Sequence, residues 1–253
     1  MLTDADVQAF RDDGFVAVRG AFPRSVADAC AEEIWAALPE SPDDPSTWSV
    51  PVRRLHGFGT PPFATAARAP VLHEAFDQLV GSGRWVPRTG LGTIPVRFPS
   101  SEEPGDDGWH LEGSFAGPDG GPRVNLRSDG RALLMLFLFA DVGPDDAPTR
   151  IRVGSHLDVP PFLAQAGNEG REWMAVCQDV VPASADRPVV TAHGEAGDVF
   201  LCHPFLVHAA QPHHGTRPRL MAQPPLEPTG PVDLDAPYPV AAAIRAGLCR
   251  IRT

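Results

Sequence analysis

In the stretch GWHLEGSF, His110 and Glu112 stand two residues apart, an imidazole and a carboxylate that a strand would project to the same face. That is half of a metal site. A single HxE pair arises often by chance, so a further donor has to come from another segment. The stretch GDVFLCHPFLVHAAQPHHGTRPRLMAQP offers His203, His208, His213 and His214. Read as a hairpin turning between His213 and His214, its arms FLVHAAQ and RPRLMAQ set residue 208 opposite residue 219, so that His208 faces Arg219. His203, five residues before His208, takes the opposite face and reads as a core or surface histidine.

Two neutral imidazoles and one carboxylate, with positions left open, form the facial triad of non-haem iron(II) oxygenases. The same donors can hold zinc with a bound water, so a metal-dependent isomerase or hydrolase stays open at this point. A buried arginine beside such a triad suits a carboxylate held at a fixed distance from the metal, as the distal end of 2-oxoglutarate would be. Arg219 fills that place. Arg217 shares its parity but lies nearer the turn, and Arg97 in PVRFP reaches toward either cosubstrate or substrate, or makes a structural ion pair.

These residues need a scaffold. Thr3 with Asp6 at capping-box spacing starts a helix over about 4–12, ended by Gly14. FVAVRGAF alternates as a strand, and a helix capped by Ser25 carries Val26, Ala29, Cys30, Ile34 and Leu38 at helical spacing. Prolines and glycines crowd residues 39–70, where Trp48, Leu55, Phe58 and Phe63 mark an ordered loop suited to a lid. After the helix VLHEAFDQLVG come the short segments TIPVRF, DGWHLEGSF, RALLMLFLFADV, TRIRVGSH, DVFLCHPFLVHAAQ and RPRLMAQP, separated by Gly, Pro and Asp turns, the pattern of a sandwich or barrel. YPVAAAIRAG closes as a helix. Within the barrel either Leu134, Leu136 and Leu138 or Leu133, Met135 and Phe137 face inward, the other set meeting the helices. Trp109 should face away from His110, Ser114 and Phe115 could line the mouth, and Asn125, Arg127 and Arg131 read as entrance residues or solvated surface. Gly154, Ser155 and His156 read as a structural turn.

Bulk properties exclude several classes. With 21 basic and 32 acidic residues the chain carries −11 and no basic stripe, which argues against nucleic acid. It contains no lysine, so Schiff-base and phosphate-loop lysine chemistry is out. Cys30, Cys177, Cys202 and Cys249 stand apart, as in a reducing interior, and neither a signal peptide nor a membrane span is apparent, so the expected location is cytoplasmic.

The order of these segments resembles the phytanoyl-CoA dioxygenase family of iron(II)/2-oxoglutarate oxygenases. LTDADVQAFRDDGFVAVRGAF is similar to that family's start, DAPTRIRVGSH to its glycine-serine-histidine turn, GDVFLCHPFLVHAAQPHHGTRPRL to its distal histidine and arginine stretch, and YPVAAAIRAG to its ending. The resemblance implies an α+β fold with a mainly β core, a double-stranded β-helix (jelly-roll, cupin-like barrel) flanked by N-terminal helices and a C-terminal helix. It implies one domain over residues 1–253, with a helical flank and lid loop at 1–90, the jelly-roll core at 91–230 and a C-terminal extension at 231–253. It further implies that His110, Glu112 and His208 bind Fe(II) and act in catalysis, and that Arg219, with Arg97, serves 2-oxoglutarate. The implied reaction uses O2 to hydroxylate a small, partly apolar molecule, releasing succinate and CO2, with no nucleic-acid or membrane partner. The family commonly has aspartate where this chain has Glu112, one methylene or about 1.5 Å longer. That departure leaves a third reading open, a binding protein of the same fold with impaired catalysis.

Overall fold

The computed structural model describes residues 1–250; residues 251–253 of the expected C-terminal extension lie outside the described residues. In chain order the elements are helix α1 (Asp4–Asp13), strand β1 (Phe15–Val18), helix α2 (Arg24–Ala36), strand β2 (Val52–Leu55), helices α3 (Pro61–Ala67) and α4 (Pro70–Leu79), strands β3 (Ile94–Arg97), β4 (Phe115–Ala116), β5 (Pro122–Val124), β6 (Leu133–Leu138) and β7 (Thr149–Arg152), helix α5 (Pro160–Leu163), strand β8 (Arg171–Glu172), helix α6 (Trp173–Ala183), strands β9 (Val189–Ala192), β10 (Val199–Cys202), β11 (His208–Ala209), β12 (Met221–Ala222) and β13 (Pro225–Leu226), and helix α7 (Pro239–Cys249). The Thr3 and Asp6 side chains form the full capping box of α1, and Gly14 ends it at φ 89°, a left-handed conformation that suits glycine.

Two antiparallel sheets carry the site. One has the order β1-β10-β6-β12 with β13 also on β6, and the other the order β11-β7-β9. Leu134, Leu136 and Leu138 pack with Ile151, Ala192, Phe200 and Met221 between these sheets. Leu133, Met135 and Phe137 face the helices, Phe137 lying 6.1 Å from Phe22. Both faces of β6 are therefore covered, which explains why its sequence is a continuous apolar run instead of an alternation. This is the jelly-roll-like α+β architecture that the segment order implies, with helices at both ends of the chain; among the described residues no continuous ladder closes it into a barrel.

Two local expectations are corrected. The hairpin across His213 and His214 does not form: β11 pairs with β7, Arg219 bridges to Arg97, and β12 pairs with β6. Pro212 directly follows the first supposed arm and Pro218 sits in the second, neither with an N–H to give a ladder, while His214 and Gly215 donate to Asp145 O instead. Within DGWHLEGSF, His110 makes a single bridge to His208 in place of a continuous strand, and only Phe115 at its end enters a ladder, as the start of β4. Helix α6, which the sequence reading missed, buries Val176, Cys177 and Val180 at helical spacing.

Behind the sheets His156 and His203 lie with ring centroids 4.8 Å apart, both buried. Burial holds both rings below the usual imidazole range, His156 at about 4. The unfolded chain therefore binds more protons between about pH 4 and 6.5, so this stability is present above pH 6.5 and is lost as the pH falls toward 4. From pH 7.5 to 5 the loss through His156 should reach about 2 kcal/mol by urea unfolding, and His156→Gln should remove that part of the slope.

Candidate metal centre

The bridge between His110 and His208 sets the site. Each backbone N–H donates to the other's carbonyl, at 3.0 and 2.9 Å, so the two side chains leave neighbouring chains on the same side, with ring centroids 4.5 Å apart. Each ring is also oriented by its own backbone: Nδ1 of His110 lies 2.8 Å from Gly108 O, and Nδ1 of His208 lies 3.0 Å from Leu206 O. With Nδ1–H donating, both Nε2 atoms are left as free lone pairs, the tautomer a metal ligand needs. Glu112 Oε1 comes to 3.5 Å from His208 Nε2, and one donor atom from each of the three residues lies within 4.8 Å of the others. Leu111, between the two ligand candidates, is fully buried and its carbonyl takes the indole N–H of Trp173, which ties the segment to α6.

The protonation states suit a cation. Burial works against the charge on Glu112, but the neighbouring His208 and then the Arg131 guanidinium outweigh it and hold the carboxyl below the usual carboxylate range. Burial, then His208, lowers His110 below the usual imidazole range. An ionised carboxylate beside a neutral imidazole is what a divalent metal coordinates, so the donor set fits such an ion.

His110 and His208 line a cavity of about 390 Å³. One wall is apolar and comes from Trp109 with Trp173, Met174 and Cys177 of α6; the other is polar, with Arg54, Arg97, Asp106 and Arg219. Trp109 thus lines the cavity, contrary to strict alternation, because no regular strand surrounds it; Arg150 and Arg152 lie over its ring at 4.9 and 4.4 Å. Trp48, Leu55 and Phe58 pack against the core. From residues 39–70 it is Arg54 that reaches the cavity.

Arg97 and Arg219 face the same cavity through their own bridge, yet they differ in partners. Arg97 Nη2 donates to Asp106 Oδ2 at 2.7 Å, and Arg54 pairs with the same oxygen. Arg219, 1% exposed, donates to two carbonyls, Ala147 O at 2.5 Å and Pro95 O at 3.5 Å, while its Nε is buried without a partner. Burial, then the Arg97 charge, depresses its pKa well below the usual range. A buried guanidinium with no carboxylate is costly unless an anion joins it. Asp106 was missed in the sequence because it sits in the acidic loop EEPGDDG, which looks like solvated surface. Arg217 lends its carbonyl to His213 Nε2 at 2.8 Å, Asn125 is buried on Asn168 O, and Ser155 Oγ accepts from Val207 N at 2.9 Å, each a structural contact outside the cavity lining.

A strand-rich α+β fold with two imidazoles on a cavity wall and a carboxylate alongside defines a cupin-like protein with a donor set that could hold a metal ion. The sequence profile described as phytanoyl-CoA dioxygenase matches residues 10–221, and the chain belongs to that family. No curated protein sequence matches it. Among solved structures it is similar to the non-haem alpha-ketoglutarate-dependent carbocyclase SnoK from nogalamycin biosynthesis (18% identity, TM-score 0.61, 88% of this chain and 82% of that one). It is also similar to HygX from Streptomyces hygroscopicus with nickel and 2-oxoglutarate bound (18%, 0.58, 90% and 88%). A third is the epimerase SnoN in complex with Fe3+, alpha-ketoglutarate and nogalamycin RO (21%, 0.58, 87% and 81%). At such identities the likeness establishes the fold. Among the described residues no helix is long and apolar enough to cross a membrane.

Proposed function

We propose that this chain is an Fe(II)- and 2-oxoglutarate-dependent dioxygenase that hydroxylates a small, partly apolar molecule, with His110, Glu112 and His208 as the metal ligands and Arg219 as the anchor of the cosubstrate. The observation that carries the reading is the convergence of three donor atoms within 4.8 Å beside a cavity that also holds a buried guanidinium without a carboxylate. SnoK, HygX and SnoN, named for 2-oxoglutarate chemistry or bound to that cosubstrate, support it. When bound, iron with 2-oxoglutarate would supply the oxidising power for O2-driven C–H cleavage.

The protein's part is placement. Gly108 O and Leu206 O fix the imidazole tautomers, and Glu112 supplies the negative charge that two neutral rings lack. Arg219 offers a planar fork to a carboxylate, whose charge would relieve its repulsion with Arg97. Trp109, Trp173 and Met174 form an apolar wall that keeps water from the reacting bond and suits a partly apolar substrate. The carbocyclase and epimerase names of SnoK and SnoN favour a second outcome from the same residues, ring closure or epimerisation after hydrogen abstraction. Under air with Fe(II) and ascorbate, the chain should convert 2-oxoglutarate to succinate and CO2 in equal amounts. Bound iron with no succinate across a panel of small ring-bearing molecules would contradict the oxygenase reading and favour a non-oxygenase metal enzyme or a binding protein.

A further inference from the structure

We propose that Arg131 is the positioning residue of the Glu112 carboxylate: it holds Oε2 from behind, so that Oε1 alone is presented to the ion, and this anchor fits a glutamate to a place where the family commonly has aspartate. The inference rests on the metal-site reading above.

The two carboxylate oxygens already have separate partners. Oε1 faces His208 Nε2 at 3.5 Å, and Oε2 lies 3.4 Å from Arg131 Nη2. Arg131 also directs Nε to Gly113 O at 3.4 Å, so one guanidinium touches both the ligand side chain and the backbone that follows it. Its side chain is 13% exposed, and Nη1 is buried without a partner. Such a cation has little to gain from solvent and stays with the carboxylate.

The backbone behind Arg131 is built for this contact. Ser128, at φ 44°, accepts from Arg131 N at 3.2 Å and donates its hydroxyl to Arg131 O at 2.7 Å, closing a tight turn just before β6. Gly130 presses on the segment after Glu112 so closely that a Cβ there would stand 2.0 Å from Ser114 O. Glycine is therefore required for the turn to bring residue 131 against residues 112 and 113.

A glutamate has one more rotatable bond than an aspartate, and ligand distances tolerate only about ±0.2 Å. A charged hydrogen bond to the oxygen that does not bind metal removes that freedom before the ion arrives. Outer partners of this kind are worth about 10- to 100-fold in metal affinity.

The test is Mn(II) affinity, read from the free-ion EPR signal, in a cycle of Arg131→Gln with Glu112→Ala. Arg131→Gln should weaken Mn(II) binding about 10- to 100-fold when Glu112 is present and leave it unchanged in the Glu112→Ala background, with Arg131→Lys falling between the unaltered chain and Gln. If Arg131→Gln does not fold, Arg131→Lys is taken through the same cycle, with a smaller loss that again requires Glu112. Equal affinity in Arg131→Gln and the unaltered chain, or the same loss with and without Glu112, overturns the positioning role while leaving the metal site intact. An unaltered chain that binds no Mn(II), Fe(II) or Ni(II) overturns the functional reading, and this inference with it.

Discussion

His208→Ala should weaken divalent-metal binding by more than about 100-fold while leaving the fold intact. The ring supplies one of the three converging donors, so the loss should exceed the 10- to 100-fold that outer partners command. Its side chain carries little of the structure: Nδ1 meets the carbonyl of Leu206, two residues before it, and the pairing of β11 with β7 and His110 uses only backbone atoms. Titration calorimetry with Ni(II), beside circular dichroism melting of the metal-free chain, separates the two effects. Unchanged Ni(II) affinity in this variant would remove His208 from the metal site.

Arg219→Leu should raise the dissociation constant for 2-oxoglutarate on the metal-loaded chain about 100-fold, within the about 2–5 kcal/mol that a truncated buried charge pair costs. Arg219→Lys should recover only part of that, since an ammonium cannot grip a carboxylate with two parallel bonds. Stability should move differently. Arg219 is buried beside Arg97 with Nε unpartnered, so replacing it with an apolar side chain removes an uncompensated charge along with two bonds to carbonyls. The urea midpoint of metal-free Arg219→Leu should therefore stay level or rise. An unchanged 2-oxoglutarate affinity would point to Arg97 or Arg54 as the cosubstrate's partner instead.

The parts of this site that were legible in the sequence are those decided by residue type. His110 and Glu112 stood out because an imidazole and a carboxylate two residues apart can share one face, and His208 because the distal segment offered the further donor that such a pair needs; Thr3 with Asp6 announced α1 because a capping box is local. Pairing across distance was harder. The hairpin reading matched residue 208 with 219, yet Pro212 and Pro218 already told against a ladder there; Arg219 reaches the cavity by bridging to Arg97 and leading into β12. Trp109 was assigned outward because a strand was assumed where one bridge exists. The periodicity of Trp173, Val176, Cys177 and Val180 could have revealed α6 and with it the apolar wall. Asp106 carried no such signal, since an acid among acids in a loop gains meaning only when Arg97 and Arg54 fold onto it. Arg131 looked like a solvated charge until Gly130 brought it against Glu112.

Of all measurements, an anaerobic titration of the metal-free chain with Fe(II), followed by 2-oxoglutarate, reports most directly on whether these residues form one centre. The expected result is one equivalent of Fe(II) bound and, on adding 2-oxoglutarate, a visible charge-transfer band that is absent in His208→Ala and needs far more cosubstrate in Arg219→Leu. Tight Fe(II) binding with no such band at saturating 2-oxoglutarate would contradict the proposal.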